Sequence, residues 1–190
     1  MSTESRSNPK WLPLESNPAL LNAFVHRLGL PPTHGFVDVW GLDPDLLAML
    51  PSPVLAMCLL YPSANISEPR RSEMRGKSPS TDLLPGLFFA QQHDECGNAC
   101  GTLACMHAVV NGAGPGMYRL EEGSVIAKFR ADTTGMTSYE RGRKLVECEA
   151  MHEESNATAR SGETEGAGTD DNQDQHFIGK KVWWRGGELL

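Results

Sequence analysis

Asn98-Ala99-Cys100-Gly101-Thr102 puts a cysteine at the start of a stretch that reads as a helix running to about Val110. A thiol there meets unpaired backbone N–H groups and the positive end of the helix dipole. Both favour the thiolate, the nucleophilic form. A base lies far downstream in His176-Phe177-Ile178. A Cys and a His that meet only through the fold point to a cysteine hydrolase. In that chemistry Cys100 attacks a carbonyl carbon. His176 holds its proton or forms an ion pair with it, then protonates the leaving amine. The developing oxyanion needs donors, and the Cys100 N–H and a side-chain amide from Gln91 or Gln92 are candidates. A carboxylate or amide usually orients the His. The only acid after His176 is Glu188.

Two blander readings compete. A lone Cys at a helix start is more often a small buried residue, and His176 beside Phe177 and Ile178 suits a core histidine. His93, Cys96, Cys100, Cys105 and His107 lie close enough to suggest a metal. However, C-x3-C-x4-C is not a usual zinc spacing, and a helix through Cys100 to His107 would scatter the ligands. No metal or cofactor is expected, and Cys105 and His107 are read as helix packing.

The elements that must position these groups are mixed. Asn17, Pro18 and Gly29 bracket a first helix, with Leu20, Leu21, Phe24, Val25 and Leu28 on one face. Phe36–Trp40 reads as a strand, Asp43-Pro44 opens a second helix closed by Pro51, and Val54–Tyr61 is the best central strand. Ser63–Asp82 is polar and reads as an exposed loop. Gly86–Ala90 reads as a short strand leading to the Cys100 helix, which Asn111-Gly112 ends. A capping box at Thr137-x-x-Glu140 starts a helix expected to reach about Ala150. Glu153–Gln175 holds seven acidic residues and no Leu, Ile, Val or aromatic residue. Such a segment predicts a mobile acidic loop. Order returns at His176–Ile178 and Val182–Trp184.

The 190 residues, 39% of them apolar, suit one domain with a real core. A net charge of −7 argues against general nucleic-acid binding. The longest apolar run, Val54–Tyr61, is too short to span a membrane. The five cysteines, without a secretion signal, imply reduced thiols in the cytoplasm or nucleus. The sequons at Asn65 and Asn156 are read as chance.

Three segments resemble the ubiquitin C-terminal hydrolases of the peptidase C12 type. They are Trp11–Pro18 with Leu28-Gly29-Leu30 and Phe36–Pro44; Asn98–Leu103 with His107-Ala108-Val109; and His152-Glu153 with His176-Phe177-Ile178. The resemblance runs from about Trp11 to Ile178 and is weakest in Ser63–Asp82 and Gly112–Thr134. It implies an α/β (α+β) papain-like cysteine-protease fold, with a central antiparallel sheet flanked by helices. The whole chain, 1–190, would be one catalytic domain. The implied activity is a deubiquitinating thiol hydrolase that cleaves after the C-terminal glycine of ubiquitin. The partners would be ubiquitin and its small adducts or precursors, and the chain is expected to be a monomer.

Under this resemblance Cys100 matches the nucleophile, His176 the general base and Gln92 the oxyanion glutamine. Segment 153–175 falls at the crossover loop, which straddles the active site and favours small or unfolded leaving groups. Three departures stand out. Gln91–Gly97 carries about two extra residues, so the family's glutamine spacing falls on Asp94. Gly179-Lys180-Lys181 suits a central strand badly. The orienting Asp expected about fifteen residues after the His has no counterpart. The expectation is therefore a truncated or aberrantly spliced member lacking its closing strands. Its activity would be impaired, by up to about 10⁴-fold for a lost orienting carboxylate, with a ubiquitin-binding protein of little turnover as the alternative.

Overall fold

The structure is a computed structural model describing residues 10–62, 86–163, 175–181, 184–185 and 188–189. Its centre is a helix buried on nearly every side. Residues Gly101 to Met106, Ala108 to Val110 and Gly112 of α3, defined below, are all buried. A helix this apolar all round must be packed all round.

The helices are α1 Pro18–Leu28, α2 Pro44–Leu47, α3 Cys100–Gly112, α4 Val125–Asp132, α5 Ser138–Val146 and α6 Glu149–Arg160. The strands are β1 Ala56–Pro62, β2 Gln175–Lys181, β3 Trp184–Arg185 and β4 Glu188–Leu189. β1 and β2 pair antiparallel, with Ala56 opposite Lys181 and Tyr61 opposite His176. β3 and β4 form a second small antiparallel pair. The β1–β2 pair packs on α3, which also touches α1 and α4, while α1 and α5 pack on α6.

The first helix forms as its sequence predicts. Asn17 Oδ1 accepts the Ala19 N–H at 2.9 Å. Gly29 ends the helix at φ 116°, a left-handed conformation costly for any residue with a side chain. Leu21, Phe24, Val25 and Leu28 turn inward to join Trp11, Met106, Val109, Ile126, Phe129, Leu145 and Met151 in one core.

Two predicted strands are extended chain but not sheet. Phe36 is held by Asn22 of α1: its N–H donates to Asn22 Oδ1 at 2.5 Å, and its carbonyl accepts from Nδ2 at 3.0 Å. Phe88 is held the same way by Asn111 of α3, at 2.8 Å on each side. The hydrogen-bond partner is a helix asparagine rather than a neighbouring strand.

Other expectations shift at their edges. The capping box at Thr137 and Glu140 is present, but α5 stops at Val146 and α6 starts anew at Glu149. α4 was not anticipated, although Ser124 caps it and Ile126 and Phe129 face inward. The acidic stretch is not a loop from Glu153 onward, because residues 153–160 belong to α6. This helix buries Met151, His152, Ser155, Asn156, Thr158 and Ala159. Its buried polar groups are matched by hydrogen bonds, so the rule that order needs aliphatic residues fails here. The remainder of that stretch up to residue 174, apart from residues 161–163, lies outside the described residues, as do the predicted loop 63–82 and the Asn65 sequon. Asn156 and Thr158 are both buried, so the second sequon is closed to a glycan. Gly179–Lys181 does not interrupt β2. The strand runs on to Lys181, and among the described residues it pairs with β1 alone, so it need not meet the apolar demands of a central strand.

α6 is tied to the rest by side chains. Thr102 Oγ1 and Ser155 Oγ lie 2.7 Å apart, fully buried. Asn156 accepts the Leu12 N–H at 2.8 Å, donates to the Lys10 carbonyl at 3.4 Å and meets His152 Nε2 at 3.0 Å. Trp11 stands edge-on to His152. Replacing Asn156 with Ala strands several buried polar groups at once. We expect a loss of about 2–3 kcal/mol, read from urea denaturation, with Asn156→Asp losing less because it still accepts from Leu12.

Candidate active site

Cys100 is the first residue of α3, half-buried with a free thiol. The helices α1, α4 and α5 are capped by the side chains of Asn17, Ser124 and Thr137. The corresponding residue of α3 is Ala99, which brings no oxygen to the first-turn N–H groups. Among the described residues, no cap side chain occupies those donors.

The approach to Cys100 is set by Gly97, whose φ of 54° and ψ of −119° suit a residue without a side chain. It pairs with Trp11 through an isolated bridge. Within this segment Asp94–Cys96 forms one 3-10 turn, closed by the Cys96 N–H on the His93 carbonyl and the Gly97 N–H on the Asp94 carbonyl. Gln92 is half-buried, and its Nε2 donates to the Gly97 carbonyl at 2.7 Å, across the mouth of the turn. Gln91 is exposed, and its N–H donates to the Ser138 carbonyl.

β2, the strand that carries His176, packs on the same helix. A Cβ on Gly101 would stand 3.0 Å from Leu14 Cβ and 3.3 Å from the buried Phe177 ring, so glycine allows the strand to sit tight against α3. His176 precedes Phe177 in that strand, opposite Tyr61.

Desolvation disfavours the thiolate at the other four cysteines. Burial pushes the thiol of Cys58 up to about 11 and raises those of Cys96, Cys105 and Cys148. The residues of the metal reading are occupied separately. His93 Nε2 meets the Tyr139 carbonyl at 3.0 Å, and Cys96 and Cys105 are buried in the core. Among the described residues, no three His, Cys, Asp or Glu side chains gather where they could hold a metal ion.

His107 is more than packing. Its Nε2 accepts the Ala90 N–H at 3.1 Å, and its ring stacks on Phe89. Burial depresses its pKa to about 4, and the Ala90 N–H requires that nitrogen to be unprotonated. Sequence reasoning missed this role. The visible signal was the shared helical face of Cys100, His107 and Asn111, spaced seven and four apart.

The family profile described as ubiquitin carboxyl-terminal hydrolase, family 1, matches residues 11–179. Ubiquitin carboxyl-terminal hydrolase 3 of Arabidopsis thaliana is 35% identical over 178 residues, covering 93% of this chain and 73% of the relative. Ubiquitin carboxyl-terminal hydrolase isozyme L1 of Homo sapiens is 32% identical over 166 residues, covering 87% and 71%. Among solved structures, the catalytic domain of Trichinella spiralis UCH37 bound to ubiquitin vinyl methyl ester superposes with a TM-score of 0.59. It is 20% identical and covers 94% of this chain and 72% of that one. This likeness bears out the expected papain-like α/β fold. Among the described residues no helix is long and apolar enough to cross a membrane.

Two outcomes follow from the site's electrostatics. Limited iodoacetamide treatment at neutral pH, read by peptide mass mapping, should label Cys100 first and spare Cys58 and Cys105 while the chain stays folded. Stability should also fall with acid. The folded chain keeps His107 neutral, whereas the unfolded chain takes up its proton below the ordinary value of 6.5. The contribution is therefore full above about pH 6.5 and is lost as pH falls toward 4. We expect this group to lower stability by about 2 kcal/mol between pH 7 and pH 5. Urea midpoints should show that slope, and His107→Gln should flatten it.

Proposed function

This chain belongs to ubiquitin carboxyl-terminal hydrolase family 1, the cysteine-type deubiquitinases, and from that membership we propose that it hydrolyses amide or ester bonds after the C-terminal glycine of ubiquitin. Cys100 is the nucleophile, His176 the general base and acid, and Gln92 an oxyanion donor. The observation that carries this reading is the seating of β2 on the first turn of α3, where Phe177 closes on Gly101 beside Cys100. It sets the strand that carries His176 against the helix that carries Cys100.

The Cys100 thiolate attacks the carbonyl carbon of the ubiquitin terminus, and the oxygen takes on negative charge. The Cys100 N–H and the Gln92 amide stabilise it at the uncapped end of α3. Collapse expels the amine, which takes its proton from His176 and leaves ubiquitin joined to Cys100 as a thioester. His176 then draws a proton from water, whose attack releases the ubiquitin carboxylate.

Residues 161–174 join α6 to β2, and we assign this connection the crossover role. Five unpaired cysteines support a reducing compartment, the cytoplasm or nucleus. The second reading is ubiquitin binding with little turnover.

Intact-mass analysis after incubation with ubiquitin carrying a C-terminal thiol-reactive group tests the proposal. One ubiquitin adduct should form, and Cys100→Ala should abolish it. Failure of the folded chain to form it would sink the enzyme reading. An adduct without hydrolysis of a ubiquitin C-terminal amide would select the second.

A further inference from the structure

Residues Phe88–Gln92, a strap outside any strand, lead into the 3-10 turn, and among the described residues those of α3 and α5 hold its backbone. Asn111 bonds both sides of Phe88, and its Nδ2 is also steadied by the His107 carbonyl at 2.8 Å. Arg141 of α5 donates to the Phe89 carbonyl at 3.4 Å and lies over the Phe88 ring. His107 accepts from Ala90, and the Ser138 carbonyl accepts from Gln91. The next residue is Gln92.

His107 and Asn111 sit seven and eleven residues after Cys100, or about 10 and 16 Å along the same face of α3. We propose that His107 and Asn111, with Arg141, are positioning residues that fix the Gln92 amide relative to Cys100, so that one buried helix mounts both the nucleophile and the oxyanion donor. This inference rests on the reading of Gln92 given above. Its physical basis is the backbone accounting of the strap. An extended segment without a strand neighbour drifts unless its N–H and carbonyl groups are bonded elsewhere, and small displacements of an oxyanion donor are costly.

Two reactions of the full chain separate positioning from general damage. Hydrolysis of a ubiquitin C-terminal fluorogenic amide develops an oxyanion. Alkylation by ubiquitin bearing a C-terminal bromoethylamide attacks an alkyl carbon and develops none. In His107→Leu, kcat for hydrolysis should fall about 10²-fold. KM should stay within about threefold and the alkylation rate within about twofold, since binding and the thiol are untouched. His107→Gln, whose Oε1 can accept from Ala90, should recover most of the loss. In a Gln92→Ala background, His107→Leu should add less than about threefold, because both changes remove the same donor.

Arg141→Met, at a partly exposed site, should show the same split more weakly, and it replaces His107→Leu should that variant unfold. A parallel fall in hydrolysis and alkylation, full additivity with Gln92→Ala, or an unchanged kcat would overturn the proposal. Should Gln92→Ala leave kcat unaltered while the native chain hydrolyses the amide, the oxyanion role fails and the positioning role falls with it. A native chain that undergoes neither reaction would overturn the underlying functional reading, and this inference with it.

Discussion

The structure depends on the burial of α3 from its first turn to its last. A helix with Leu103, Met106, Val109 and Val110 facing several directions must be enclosed, and β1, β2, α1 and α4 enclose it. Its N-terminal end meets the loop that precedes it and carries Cys100, which is partly exposed. The constraint that builds the core therefore also leaves the thiol in partial contact with solvent, beside uncapped N–H groups. Small residues make the enclosure possible. Gly101 lets Phe177 approach, and Gly112 lets Tyr118 close on the far end, where the Tyr118 hydroxyl donates to the Val109 carbonyl.

Around this helix, polar side chains do much of the cross-linking that aliphatic residues or sheet ladders supply in other domains. Asn22 and Asn111 each hold a phenylalanine backbone. Asn156 holds the N-terminal segment, and the Thr102–Ser155 pair holds α6. Each bond contributes only about 1 kcal/mol net. Leaving any one unmade in the interior costs more than making it gains, so these contacts specify register more than they add stability. Surface ion pairs such as Arg143–Glu95 and Lys144–Glu147 join exposed side chains and contribute little.

Burial also divides the five thiols. Four lie where desolvation raises the cost of the thiolate. Cys100 differs in place rather than in kind. A helix start adds aligned donors, and half-exposure leaves room for a substrate.

Much was legible in the sequence because it was local. Asn17, Pro18 and Gly29 bracket α1 by capping chemistry that acts within a few residues, and the Thr137–Glu140 box starts α5 in the same way. Asn98–Leu103 marked the helix that Cys100 opens, whereas the strands read at Phe36–Trp40 and Gly86–Ala90 did not form. Tertiary structure decided what those elements were bonded to. Nothing near Phe88 in sequence indicates that Asn111 will complete its hydrogen bonds, and nothing near Glu153 indicates that its helix will bury serine, asparagine and threonine. Propensity reports the backbone's own preference, while partners that satisfy a buried polar group lie tens of residues away and exist only once the chain has folded. For the same reason the sequence named Cys100 and His176 separately, and only the packing of β2 on α3 put their backbones on one mount.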